Sequence, residues 1–142
     1  MNKKLIYLIK YIDSGYNKGS TFIDIKKTSA IISFCKLLVK EGIIKSFDSS
    51  DLFYKSKFNI LRIYLLSYNL SNDGTHVKFK PYNKIEINYK SLIRSNTLMY
   101  KTIKRLFRLN IIHLLSTDKG FITCKDALNL KIGGFLVCKI WV

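Results

Sequence analysis

The sequence predicts an α+β fold of two small domains, and three observations carry that expectation. Apolar residues recur at helical spacing in separate stretches, β-branched and aromatic residues cluster in short runs, and a strong turn cluster divides the chain near its middle. Leu5, Leu8, Ile9 and Ile12 share one helical face, and Gly15 is expected to stop that helix. Gly19-Ser20 reads as a turn and Thr21–Ile25 as a short β-rich stretch. Thr28 or Ser29 can cap a second helix with the stripe Ile32, Cys35, Leu38 and Val39, and Gly42 stands where a left-handed C-terminal cap belongs. Ile43–Phe47 and Asn59–Tyr68 read as strands, which completes an N-terminal α-β-α-β-β unit.

Leu70-Ser71-Asn72-Asp73-Gly74 is the expected seam, so the domains are taken as residues 1–72 and 73–142. Beyond it, Val77/Phe79 and Ile85/Ile87/Tyr89 alternate at the strand period. Met99–Leu109 is expected to be an amphipathic helix, with Ile103, Leu106 and Phe107 inward and Lys101, Lys104, Arg105 and Arg108 as a basic flank. Ile111–Leu115 reads as a buried strand, Ser116–Gly120 as a polar turn, Thr123 as the cap of a short helix, Gly133-Gly134 as a turn and Phe135–Val142 as a terminal strand. The C-terminal domain is thus strands with one basic helix and a terminal strand. Each half has roughly 70 residues, near the lower limit for burying enough surface to fold alone, so the halves are expected to share an interface and to gain stability from a partner.

Charge points to that partner. The chain of 142 residues is 48% hydrophobic, enough for a core, yet carries 25 Lys+Arg against 9 Asp+Glu, a net +16. Residues 1–72 hold 12 basic and 5 acidic residues (+7) and residues 73–142 hold 13 and 4 (+9), so the excess is no detachable arm. Self-repulsion of this size is tolerable when a polyanion neutralises it, which favours nucleic acid over a membrane surface. No apolar run approaches transmembrane length, and Met1-Asn2-Lys3-Lys4 reads as the start of a structural helix rather than a cleaved targeting segment. Ile, Lys, Asn, Tyr and Phe abound, with only two alanines (Ala30, Ala127) and one proline (Pro81); such codon usage suits a small AT-biased genome, as in an organelle.

Catalytic chemistry is not indicated. Cys35, Cys124 and Cys138 are odd in number and far apart, which suggests neither a disulfide framework nor a zinc site. His113 lies in an apolar strand and His76 opens a strand, neither with a carboxylate or thiol at catalytic spacing. Cys124 beside Lys125 and Asp126 could form a thiolate at a helix start but has no placed histidine. No phosphate-binding loop, metal-protease motif or paired carboxylates appear, so no cofactor, metal or small-molecule substrate is expected.

The sharpest feature is Leu114–Thr123, followed by Lys131-Ile132-Gly133-Gly134. Two short strands joined by Ser-Thr-x-Lys-Gly present hydroxyls, backbone N–H groups and a cation at one tip, a set suited to phosphate and ribose oxygens. A plain polar β-turn would use the same residues.

Leu114-Leu115, Ser116, Thr117, Gly120, Ile122 and Ala127 resemble the signature of the ribosomal protein S8 family, a small-subunit family. Ile132-Gly133-Gly134 and the closing Cys138-Lys139-Ile140-Trp141 resemble its Gly-Gly segment and the ending of organellar members. Val39-Lys40-Glu41-Gly42-Ile43-Ile44 resembles its Glu-Gly step, from which an ungapped register runs back to Gly15. The likeness is loose between residues 49 and 95. The family's Asp-Pro opening is absent, Asp118 replaces its usual Ser or Asn, and Phe135 replaces its Glu.

The resemblance implies a non-enzymatic constituent of the small ribosomal subunit that binds the central domain of small-subunit rRNA, beside neighbouring ribosomal proteins, and supports assembly and translation. It implies RNA contacts at Ser116, Thr117, Lys119, Gly120, Gly133 and Gly134, with a second contact at Lys26, Lys27, Thr28 and Ser29, where Thr28 or Ser29 could equally be a helix cap. Lys104, Arg105 and Arg108 are the basic flank expected to face the same RNA. The expected location is a mitochondrial ribosome, with the plastid as the alternative. A stand-alone RNA-binding or translation-regulating module is the rival function.

Overall fold

The computed structural model describes residues 3–48, 60–69, 76–77, 80–88 and 99–142. Helix α1 (Lys3–Lys18) buries Leu5, Leu8, Ile9, Ile12 and Tyr16, the face that its apolar spacing dictates. Strand β1 (Phe22–Lys26), helix α2 (Ser29–Lys40), strand β2 (Ser46–Asp48) and strand β3 (Ile60–Tyr64) follow in the expected α-β-α-β-β order. They form an antiparallel sheet of order β1-β3-β2, in which Phe22 and Ser46 both align with Tyr64. Alternation along β3 sends Leu61 and Ile63 into the core. Strands β4 (Tyr68–Asn69) and β5 (His76–Val77) pair on either side of the turn cluster Leu70–Gly74, which lies outside the described residues, as do Asn59, Phe79 and Tyr89.

Gly15 does not end α1. The helix runs to Lys18 and closes on Gly19 (φ 72), whose N–H donates to the Tyr16 carbonyl at 3.1 Å while that of Ser20 donates to the Gly15 carbonyl at 2.9 Å. Gly15 serves close packing instead: a Cβ there would stand 2.8 Å from Leu65 Cδ1 and 3.0 Å from Ile23 Cγ2. The adjacent Tyr16 is buried, and its hydroxyl donates to the Ile43 carbonyl and accepts from the Leu66 N–H at 3.2 Å. One side chain thereby ties α1 to the turn after α2 and to the exit of β3. Burial pushes its pKa up, against a smaller lowering by the Leu66 N–H.

Of the two candidate caps, Thr28 caps α2, its Oγ1 accepting from the Ile31 N–H at 3.3 Å. The helix ends at Gly42 (φ 74), where the Ile43 N–H reaches the Leu38 carbonyl at 2.9 Å and both side chains are buried. Strand β2 therefore begins at Ser46 and not at Ile43, because Ile43 and Ile44 are buried within the turn.

Contacts divide the chain into two compact units, one of Lys4–Pro81 and the other of Tyr82–Val142 grouped with Met1–Lys3. The second holds a four-stranded antiparallel sheet of β6 (Lys84–Ile87), β7 (Ile111–Thr117), β8 (Gly120–Thr123) and β9 (Phe135–Trp141), in the order β6-β9-β7-β8. Helices α3 (Tyr100–Leu106) and α4 (Cys124–Leu130) cover one face, where Ile103, Leu115, Cys124, Ala127 and Leu136 form a buried cluster. Thr123 caps α4, accepting from the Asp126 N–H at 3.3 Å.

Helix α3 is shorter than the expected 99–109. Phe107 leaves helical geometry (φ −59, ψ 127), Leu109 is 91% exposed, and Arg108 forms a bridge with Ile111 as the chain turns into β7. The Arg108 Nη1 donates back to the carbonyls of Arg105 (3.3 Å) and Phe107 (3.0 Å), covering groups that the helix end leaves open.

His113 is 3% exposed and lines a small cavity with Ile103, Leu106, Leu115, Cys124 and Leu136. Its Nδ1 has no hydrogen-bond partner among the described residues. Burial lowers its pKa, helped by Lys139, its neighbour in register on β9, and by Arg108. The fold thus disfavours the protonated imidazole, whereas the unfolded chain protonates it below about 6.5. Stability contributed by the neutral ring is present above that pH and is lost as pH falls through it toward the folded-state pKa. Urea unfolding between pH 7.5 and 5 is expected to show falling stability, with a shallower fall in His113→Leu. An equal pH slope for the two proteins would count against this account.

Candidate nucleic-acid interface

Strands β7 and β8 place the Ser-Thr-x-Lys-Gly segment. Ser116 and Thr117 belong to β7, Thr117 pairs with Gly120, and only Asp118-Lys119 forms the connection. The expected polar turn Ser116–Gly120 is therefore a hairpin tip with its hydroxyl residues on a strand. Among these residues only Gly120 has positive φ (96), so the turn is not one of the primed hairpin types, and a glycine in the left-handed region follows it. A Cβ at Gly120 would meet nothing within 4 Å, which makes the requirement conformational and leaves open space at the tip.

The two hydroxyls differ in use. Thr117 Oγ1 accepts from the Lys119 N–H at 3.1 Å and donates to the Gly120 carbonyl at 2.9 Å, so it holds its own turn and keeps one acceptor lone pair. The Ser116 hydroxyl has no hydrogen-bond partner among the described residues. Ser116 aligns with Phe121 on β8 and Phe135 on β9, while its neighbour Leu115 turns into the helix-covered cluster. Ser116 accordingly sits on the opposite face from α3 and α4, between two aromatic positions. Asp118 and Lys119 are exposed at the tip.

The Gly-Gly segment meets this hairpin directly. A Cβ on Gly134 would stand 2.6 Å from Thr117 Cγ2 and 2.7 Å from the Ser116 carbonyl oxygen, so only glycine lets the start of β9 lie against the hairpin. Gly133 is exposed. Just before it, α4 ends on Lys131 in a left-handed conformation (φ 55, ψ 42), with the Lys131 N–H donating to Leu128 (3.3 Å) and that of Ile132 to Ala127 (3.1 Å). Helix ends of this kind favour glycine, so an exposed lysine is held in a costly geometry beside the hairpin's packing partner. Nothing in local composition singled out Lys131; the only signal was its place two residues before Gly133.

The remaining expected contacts are distributed. Lys104 and Arg105 are exposed in the last turn of α3, where cations also suit the helix dipole, and Arg108 follows outside the helix with its Nη1 engaged. Lys26 and Ser29 are exposed, Lys27 and Thr28 half-buried, and Thr28 is committed as a cap; all four lie in the Lys4–Pro81 unit.

Other chemistry has little support. Burial pushes the Cys35 and Cys138 thiols up to about 12 and raises that of Cys124, the reverse of an activated thiolate. Among the described residues no cluster of His, Cys, Asp or Glu could hold a metal ion, and no helix is long and apolar enough to cross a membrane.

The two glycines should separate in a stability test on the RNA-free protein. Gly134→Ala is expected to cost about 1–3 kcal/mol by overpacking, and Gly133→Ala no more than about 0.5 kcal/mol. Lys131→Gly should be neutral or stabilising by up to about 1 kcal/mol, since it relieves the left-handed backbone. Equal costs at the two glycines, by urea denaturation, would contradict the packing described.

The sequence profile of Ribosomal protein S8 matches residues 6–141. Small ribosomal subunit protein uS8 of Borreliella afzelii is 32% identical over 123 residues, covering 84% of this chain and 82% of that protein. Small ribosomal subunit protein uS8c of Chlorella vulgaris is 29% identical over 124 residues, 85% of each chain, and that of Anthoceros angustus 30% over 122 residues, 84% of this chain and 83% of that protein. With nearly the whole chain matched, it belongs to the ribosomal protein S8 family and is a structural, non-enzymatic protein of the small ribosomal subunit.

Proposed function

We propose that this protein binds the central domain of small-subunit rRNA and thereby supports subunit assembly and translation. The observation that carries this is the hairpin locked against Gly134, which presents the Ser116 hydroxyl, without a hydrogen-bond partner among the described residues, beside an open tip with Lys119. A rigid hydroxyl, a lysine and a glycine backbone with space around it match phosphate and ribose oxygens without further ordering. Ser116, Lys119, Gly120 and Gly133 are the contacts. Thr117 and Gly134 position them, and the spare lone pair of Thr117 can accept from a 2′-OH. Lys104, Arg105 and Arg108 extend the cationic border within the C-terminal domain. Lys26, Lys27 and Ser29, next to the cap Thr28, supply the second contact from the N-terminal domain. The rival reading as a stand-alone RNA-binding module is weakened by the family membership.

The organelle is the finer part of the proposal. Composition favours an organellar ribosome, assigned to the mitochondrion; likeness to plastid-type uS8c proteins favours the plastid alternative. Fractionation decides between them: the protein is expected to co-sediment with the mitochondrial small subunit after a salt wash, and recovery with plastid subunits would replace that assignment.

Affinity for the protein's own central-domain rRNA transcript, compared with an unrelated RNA of equal length, tests the binding. Ser116→Ala should cost about 0.5–1.5 kcal/mol of binding, more if an RNA polar group is left buried and unpaired, with unfolding unchanged. Thr117→Val should lower both hairpin stability and affinity. Binding should weaken steeply with salt, as expected for about four to eight neutralised phosphates. No preference for the rRNA, or a flat salt response, would sink the proposal.

A further inference from the structure

We infer that the solvent face of helix α1 is a separate RNA-binding surface, on which lysines take phosphates and two tyrosines stack on unpaired bases. This rests on the rRNA-binding reading and extends it to a face that no expected contact includes. Lys4, Tyr7, Tyr11 and Lys18 are all exposed and fall within about 60° of one another around the helix, along about 21 Å of its axis. Lys10 is exposed at the edge of the same stripe. Tyr7 and Tyr11 are 60% and 53% exposed, although each would lose apolar surface to water if it could pack. Their spacing of four residues makes them neighbours on one side of the helix.

The stripe of Lys4, Tyr7, Tyr11 and Lys18 is basic and carries no Asp or Glu of α1 among its own positions. Asp13, on the flank of α1, is held by Lys80 at 3.1 Å. The residues between the lysines are aromatic and not aliphatic, and the aliphatic face of α1 (Leu5, Leu8, Ile9, Ile12) is already buried, so α1 has no apolar side left to enter a lipid surface. Cations interleaved with exposed rings are the pattern that binds unpaired nucleic acid, since every base offers a π-face and every linkage a charge. The occupant is an irregular, single-stranded or bulged segment of the same small-subunit rRNA.

The experiment uses the full-length protein and its own small-subunit rRNA, with circular dichroism to verify folding. Tyr7→Ala with Tyr11→Ala is expected to weaken binding at least about fivefold, while Tyr7→Phe with Tyr11→Phe stays within about twofold, because stacking needs the ring and not the hydroxyl. Lys4→Gln with Lys18→Gln should lower the slope of log affinity against log salt by about two. Wild-type affinity and slope in the alanine and glutamine pairs would overturn the inference. So would normal RNA affinity combined with failure to join the subunit, since the face would then meet a neighbouring protein. If the wild-type protein itself does not prefer small-subunit rRNA to an unrelated RNA, the rRNA reading falls, and this inference with it. If it does prefer it and the α1 variants match it, only the α1 surface is refuted.

Discussion

Electrostatic self-repulsion is the constraint under which the rest of the structure is built. A chain with 25 cations and 9 carboxylates cannot neutralise itself. The ion pairs described, Arg62–Asp24 at 2.9 Å, Lys80–Asp13 at 3.1 Å and Lys84–Glu86 at 3.7 Å, are solvent-accessible and each worth at most about 1 kcal/mol. Cohesion must come from apolar packing and from local geometry. That explains the number of positions at which a single atom decides the fit: the missing Cβ of Gly15 and Gly134, the two-way hydrogen bond of Tyr16, and the left-handed closures at Gly19, Gly42 and Lys131. Cations are then left on the surface, at helix ends and at the hairpin tip, where an RNA backbone would remove the repulsion.

Most of the fold was legible because it is written in short-range periodicity. The stripes of α1 and α2, the alternation of β3 and the composition of β7 and β9 each depend on neighbours within a few residues, so reading the chain locally suffices. The errors arose where a distant contact overrides the local signal. Gly15 looks like a helix stop until Leu65 and Ile23 are seen to occupy the place of its side chain. Ile43 looks like the start of a strand until its role in closing α2 is known. Helix α3 loses its last turn because the chain must reverse into β7, which helical spacing cannot reveal.

The candidate site was legible as two motifs but not as one object. Ser116–Gly120 and Gly133-Gly134 lie more than ten residues apart, and only the pairing of β7 with β9 brings Gly134 against Thr117 and Ser116. The division of labour between the hydroxyls was equally hidden. Sequence treats Ser and Thr as equivalent, whereas the hairpin commits Thr117 to Lys119 and Gly120 and leaves Ser116 without a partner among the described residues. The left-handed backbone of Lys131 was hidden as well, because that geometry in a lysine has no compositional signature.

That division changes how binding data on this hairpin must be interpreted. Loss of affinity at Thr117, Gly120 or Gly134 follows from a disordered tip as readily as from a lost contact, because each of the three holds the tip's backbone in place. Ser116 is different: no hydrogen bond of its hydroxyl to the turn is found among the described residues, and its Cβ remains in the alanine variant, so a loss of affinity there would report a lost contact and not a disordered tip. Phe135 and Asp118 add a property particular to this chain. Where the family pattern has a carboxylate after the glycines, an aromatic ring stands beside Ser116, and the carboxylate appears instead at the exposed tip next to Lys119. Negative charge is thereby moved off the sheet face that carries the Ser116 hydroxyl and out to a position where water and the adjacent ammonium can screen it. The two strand positions that flank Ser116, Phe121 and Phe135, are accordingly both uncharged and aromatic.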